Sequence, residues 1–125
     1  MSGRRIAKQR RRADVGIIGG GLAGLSLAYH LSHFHNLKIL VVDDGMPKPD
    51  HIWGFWDNGS PHLELAREHA ISHWWHWQIA EPGNAHVMRG QDYHYYAVSS
   101  ATYMKALADK CARANVRFIN GTVMK

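Results

Sequence analysis

Three observations predict an α/β chain organised around a Rossmann-like βαβ unit for a dinucleotide. A short apolar run, Val15 to Ile18, leads into Gly19-Gly20-Gly21-Leu22-Ala23-Gly24, which fits G-x-G-x-x-G. A helical stretch follows, then a second apolar run, Leu37 to Val42. Asp43 closes that run 19 residues after Gly24. At that spacing an acid can accept hydrogen bonds from a ribose hydroxyl. A lone glycine motif says little. Strand, turn, helix, strand and acid in the right order say much more.

Each part has a physical role. Val15, Ile17 and Ile18 suit a buried parallel strand. Gly19 permits the tight turn out of it, Gly21 lets a pyrophosphate approach the backbone, and Gly24 lets the helix pack closely on the sheet. The helix, roughly Leu22 to His33, points free N–H groups and its positive dipole end at the phosphates. The motif as a whole, Gly19, Gly20, Gly21, Leu22, Ala23 and Gly24 with Asp43, is the expected cofactor-binding set.

Beyond Asp44 the periodicity breaks. Gly45 to Asp50 holds two prolines and reads as loop. His51 to Trp56 follows, then a turn cluster at Asp57 to Pro61 and a helical turn or two over Leu63 to His69. Trp74 to Ala80 predicts one strand, with Trp75, Trp77 and Ile79 on one face at period two. Glu81-Pro82-Gly83-Asn84 is a turn, with strands expected at His86 to Met88 and Tyr93 to Ser99. Ser99 or Ser100 can cap a helix over Ala101 to Ala114, whose Met104, Leu107, Ala108 and Cys111 recur at i, i+3, i+4, i+7. Val116 to Ile119 predicts a further strand, and Thr122 to Met124 the start of another.

The domain plan is therefore a basic, disordered arm over residues 1–13 and a partial dinucleotide-binding domain over 14–125, with 45–98 as an inserted loop-and-strand region. Three parallel strands are fewer than this fold uses. The 125 residues are expected to be the N-terminal part of a longer enzyme or a truncated gene product.

Charge is unevenly spread. Residues 1–12 hold six basic residues and no acid, whereas the rest has nine basic against ten acidic, a net charge of −1. The arm suits an anionic membrane surface. Nucleic acid is not an expected partner, because no basic stripe is visible beyond the arm. The single Cys111 excludes an internal disulfide. No apolar run approaches the ~20 residues that span a bilayer; a single cysteine suits a reducing compartment, and with the basic arm a cytoplasmic protein, peripheral at the inner membrane face, is expected.

Several clusters carry less chemistry than they promise. His69, His73 and His76 have helix-face spacing, but the stretch reads as strand, and no metal site is expected. His30, His33 and His35 sit where polar residues commonly finish a helix. The five tryptophans between 53 and 77 suit either core packing or an apolar pocket. Cys111 reads as core. No acid pair or Ser/His/Asp arrangement is visible, so the catalytic residues are unknown.

With these residues in view, the chain resembles the flavoprotein lycopene beta-cyclases, within the FAD-dependent oxidoreductases built like aromatic hydroxylases and geranylgeranyl reductases. The resemblance rests on GGGLAGLSLAYHL, on ILVVDD, on His51-Ile52-Trp53-Gly54-Phe55-Trp56, and on Tyr95 to Ser100 with the helix and strand that follow. It covers nearly all of Asp14 to Lys125.

The resemblance implies an FAD/NAD(P)-type domain, incomplete here, with the start of an antiparallel substrate-domain segment. It implies FAD in its reduced form, NADPH as the electron source, and an apolar carotenoid substrate. The reaction is a redox-neutral closure of a β-ionone ring. Protonation of a terminal alkene gives a tertiary cation, a neighbouring double bond attacks it, and proton loss completes the ring. The family's acidic catalytic motif and its second glycine-rich motif lie beyond Lys125. Ser99 and Ser100 stand at a helix start near which the related hydroxylases place a cofactor contact, and Ser100 is added to the expected set. The alternatives are another FAD enzyme of the same fold and a non-catalytic nucleotide-binding module.

Overall fold

Apolar runs on three short strands build one layer of the structure, a computed structural model that describes residues 12–124. Strand β1 (Val15–Ile18) runs into helix α1 (Leu22–Leu31) and strand β2 (Ile39–Asp43). The last strand of this layer, β8 (Val116–Asn120), arrives from much later in the chain. The order is β1-β2-β8, all parallel, with Val15, Ile39 and Val116 in register at the start of each strand. Ile17, Ala28, Ile39, Val41, Cys111 and Val116 form the buried cluster between sheet and helices. Burial there pushes the Cys111 thiol up to about 11, as desolvation of a thiolate requires, so this cysteine is core and not nucleophile.

The chain divides into two compact units, one running through Gly45 and resuming at Cys111, the other Met46–Lys110. The second unit is antiparallel. Strands β3 (Ile52–Asp57), β4 (Ala70–Trp74) and β7 (His94–Ser99) pair in the order β3-β7-β4. Strands β5 (His76–Glu81) and β6 (Asn84–Arg89) form a separate hairpin. Its Pro82-Gly83 tip places a positive-φ glycine (84°) after proline, the type II requirement. A 3-10 turn (Pro61–Leu63) leads into α2 (Glu64–Glu68), whose Leu65 and Ala66 are buried, and α3 (Ser100–Ala112) follows β7.

Aromatic pairs knit the three-stranded sheet, which explains the aromatic density of the sequence. Tyr95 of β7 contacts Trp56 on one neighbouring strand and Trp74 on the other, at centroid distances of 4.9 and 6.1 Å. Tyr96, one residue on and therefore on the opposite face, stacks on Phe55 at 5.5 Å and His73 at 5.2 Å. Gly54 leaves the space into which the Tyr95 ring end packs.

Two expectations need correction. Trp74 to Ala80 is not one strand: β4 ends at Trp74 and β5 begins at His76. The ladder partner changes there, from β7 to β6, and the Trp75 carbonyl accepts the Gly90 N–H at 2.7 Å. Trp75 therefore shares no strand face with Trp77 and Ile79. Thr122 to Met124 forms no strand, since no ladder partner lies beside it among the described residues. The basic arm falls outside the described residues as far as position 11.

A partly buried ion pair fixes the loop after β3. Asp57 is 7% exposed, and its Oδ1 accepts from Arg67 Nη1 at 2.7 Å and from the Gly59 N–H at 3.1 Å. Arg67 also donates to the Ser60 carbonyl at 2.9 Å. Asp57→Ala leaves the guanidinium without its carboxylate and is expected to cost about 2–3 kcal/mol, read as a lower urea midpoint. Lys105→Ala, which removes only the exposed Lys105–Asp109 pair, is expected to change stability by less than about 0.5 kcal/mol.

Candidate functional site

The glycine turn joins the carboxyl end of β1 to α1, and local packing explains its composition. Gly19 has φ of +100°, a conformation that L side chains rarely adopt. A Cβ on Gly24 would lie 1.9 Å from the Gly19 carbonyl oxygen and 3.3 Å from Ile17 Cγ2, so this position is where helix and strand backbones touch. Around Gly21 the situation is reversed: a Cβ there would meet no atom within 4 Å. The motif thus has one glycine in an unusual conformation, one against the backbone and one facing open space.

Asp43 completes the geometry. Its Oδ2 accepts the Gly20 N–H at 2.6 Å and its Oδ1 the Gly45 N–H at 3.0 Å. A Cβ on Gly20 would stand 3.1 Å from Asp43 Cβ, so the missing side chain lets the carboxylate close on the turn. Residues 23 positions apart in sequence are thereby held together at the mouth of the sheet. The first turn of α1 carries no acidic residue, and no side chain caps it. Such a helix start directs unsatisfied N–H groups outward, where an anion is favoured. These donors, this opening and this acid could hold a diphosphate linked to a ribose.

Ser100 has a different setting. It is 2% exposed; its hydroxyl donates to Asp50 Oδ1 at 3.0 Å and accepts the His51 N–H at 2.8 Å. Ser99 Oγ accepts the Thr102 N–H at 3.3 Å, so Ser99 is the capping residue of α3. Asp50 gathers the Ala101 N–H and both serine hydroxyls. The Ala101 N–H, then the Ser100 and Ser99 hydroxyls, hold its carboxyl below the ordinary carboxylate range. The start of α3 therefore already receives a negative charge from the chain itself. Nothing in the local sequence marks Asp50 for this role, because its partners are about 50 residues away.

The other candidates resolve individually. His33 Nδ1 donates to the carbonyls of Tyr29 and His30 at 3.0 and 3.3 Å, finishing α1. His69 does the same for Leu65 at 2.9 Å. His69, His73 and His76 lie at the end of α2, on β4 and on β5, and no group of three metal-ligating side chains gathers among the described residues. Trp56, Trp74 and Trp75 are each about half exposed. Trp56 and Trp77 line, with Met88 and Tyr93, an open concavity of about 640 Å³. No helix among the described residues is long and apolar enough to cross a membrane.

Comparison with known proteins agrees with this architecture. The model of the family described as lycopene cyclase protein matches residues 14–125. A neoxanthin synthase, chloroplastic, of Solanum tuberosum is 32% identical over 120 residues, 93% of this chain and 23% of that protein. A putative truncated GMC-type inactive oxidoreductase of Acanthamoeba polyphaga mimivirus is 33% identical over 101 residues, 76% of this chain and again 23% of that protein. The chain thus spans about a quarter of the length of these two relatives.

Among solved structures, 2-methyl-3-hydroxypyridine-5-carboxylic acid oxygenase superposes with a TM-score of 0.65 at 14% identity, over 85% of this chain and 31% of that one. The p-nitrophenol 4-monooxygenase of Pseudomonas putida DLL-E4 gives 0.64 at 15% identity, over 85% and 31%. At such identities the likeness is one of fold, and that fold is Rossmann-like. The match over residues 14–125 covers every described strand and helix, and on that ground the chain belongs to the lycopene cyclase family.

Proposed function

We propose that this chain supplies the ADP-binding part of an FAD-dependent lycopene cyclase, which closes β-ionone rings on a linear carotenoid. The observation that carries this reading is the Asp43 carboxylate held on the Gly20 N–H beside the open space at Gly21, within a chain of that family. Gly19 to Gly24 would hold the pyrophosphate on backbone N–H groups, and Asp43 would accept from a ribose hydroxyl. FAD, when bound in its reduced form, offers an electron-rich surface that stabilises a nearby carbocation. NADPH is the proposed source of its electrons.

The chain's own residues would then bind and orient the cofactor. The half-exposed aromatic side chains Trp56 and Tyr93, with Trp77 and Met88, offer an apolar surface suited to a polyene. Such a substrate resides in lipid, so a peripheral position at the membrane is part of the proposal.

The test is expression of the gene in cells that accumulate lycopene, followed by flavin extraction and carotenoid analysis. Extractable FAD together with β-ringed products is the expected result. A flavin-free protein would overturn the whole reading. Bound flavin with lycopene left acyclic would overturn the cyclase assignment and leave a different flavoenzyme of this fold.

A further inference from the structure

Net charge by segment places nearly all the basicity in the first 12 residues, yet the fold gathers cations from three separate segments at the foot of the parallel sheet. Val15, Ile39 and Val116 are in register, so the residues just before each strand meet at the end opposite the glycine turn. An open cleft of about 590 Å³ lies there, lined by Arg12, His35, Lys38, Asn115 and Arg117 among others. Side-chain to backbone bonds hold its rim. Arg117 Nη2 donates to the Arg12 carbonyl at 3.2 Å, and Asn115 Nδ2 to the His35 carbonyl at 2.9 Å. The carboxylate beside the cleft, Asp14, accepts the Lys38 backbone N–H at 2.8 Å. No ion pair among the described residues engages the side chains of Arg12, Lys38 or Arg117.

We infer that this cleft is a binding site for a phosphate group, separate from the glycine turn. Two guanidiniums and an ammonium around one concavity suit a compact, multiply charged anion with several acceptor oxygens. Arginine forks match phosphate geometry, and lysine adds a point charge. The group is carried either by a lipid headgroup or by a soluble phosphate. This site involves no flavin, so its failure and that of the cyclase reading are separable.

The experiment uses the full chain and compares Lys38→Gln with Arg117→Gln against a control of equal charge loss on α3, Lys105→Gln with Lys110→Gln. Both variants keep residues 1–12, and all four side chains lie on exposed positions or on the outer part of α3, with folding checked by circular dichroism. Binding is measured to phosphatidylcholine vesicles containing phosphatidic acid, to inorganic phosphate alone and to a single-stranded oligonucleotide. Each cation near an anionic surface is worth about fivefold in affinity, so removing two at the cleft is expected to weaken vesicle binding about 25-fold. The control is expected to fall by less than about threefold. Loss of vesicle binding alone identifies a lipid headgroup as the source, and parallel loss with inorganic phosphate identifies a soluble one; both support the site. Equal losses in the two variants, unchanged binding in the cleft variant, or binding to the oligonucleotide alone would overturn it.

Discussion

Gly24→Ala is expected to destabilise the parallel unit by more than about 3 kcal/mol. The added Cβ would sit 1.9 Å from the Gly19 carbonyl oxygen and 3.1 Å from the Gly19 carbonyl carbon. Both are backbone atoms, so no side-chain rotation relieves the clash. Relief requires α1 to lift from β1, which opens the cluster of Ile17, Ala28, Ile39 and Val41. A well-packed interior resists that separation. The readout is the urea midpoint, with Gly21→Ala as the matched control. No atom beyond its chain neighbours lies within 4 Å of the added methyl at Gly21, and its φ of −77° suits any L residue. The control is expected to stay within about 1 kcal/mol of the parent. Equal stability of both variants would show that the close approach at Gly24 is not limiting.

The second large effect concerns cofactor binding. Gly21→Val places a branched side chain in the open space beside the turn, where the proposed pyrophosphate must approach. Asp43→Ala removes the proposed ribose acceptor and also leaves the Gly20 N–H without its 2.6 Å partner. A hydrogen bond to a charged group is worth about 1.5–3 kcal/mol, so Asp43→Ala is expected to weaken FAD binding by about 10- to 100-fold. Gly21→Val should weaken it at least as much, because a steric block cannot be traded for a weaker contact. Flavin content per protein, measured in the protein expressed from its whole gene, is the readout. Parental flavin content in both variants would remove this turn as the cofactor site. Loss in Gly24→Ala alone would attribute the flavin defect to folding.

Much of the βαβ unit was legible locally. The apolar runs, the glycine spacing and Asp43 each announce their place in the βαβ unit over a few residues, because a turn, a helix start and a short buried strand have short-range requirements. Helix α3 was legible from its buried stripe, and its cap was narrowed to Ser99 or Ser100, of which Ser99 accepts the Thr102 N–H. Trp74 to Ala80 was misleading for an equally physical reason. Alternation within a strand reports two faces but not which neighbour it pairs with, and the exchange of β7 for β6 at Trp75 is invisible to it. The Asp57–Arg67 pair and the Asp50 cluster were hidden because their partners are distant or lie on separate elements.

The sequence alone determined the glycine turn between β1 and α1 and the acid at the end of β2, since glycine positions and strand periodicity are local properties with few structural solutions. Only the tertiary structure decided where the basic residues gather. Arg12, Lys38 and Arg117 belong to three segments and resemble unrelated surface charges in a linear reading. Parallel registry of β1, β2 and β8 brings them to one cleft, because pairing fixes which strand ends lie side by side.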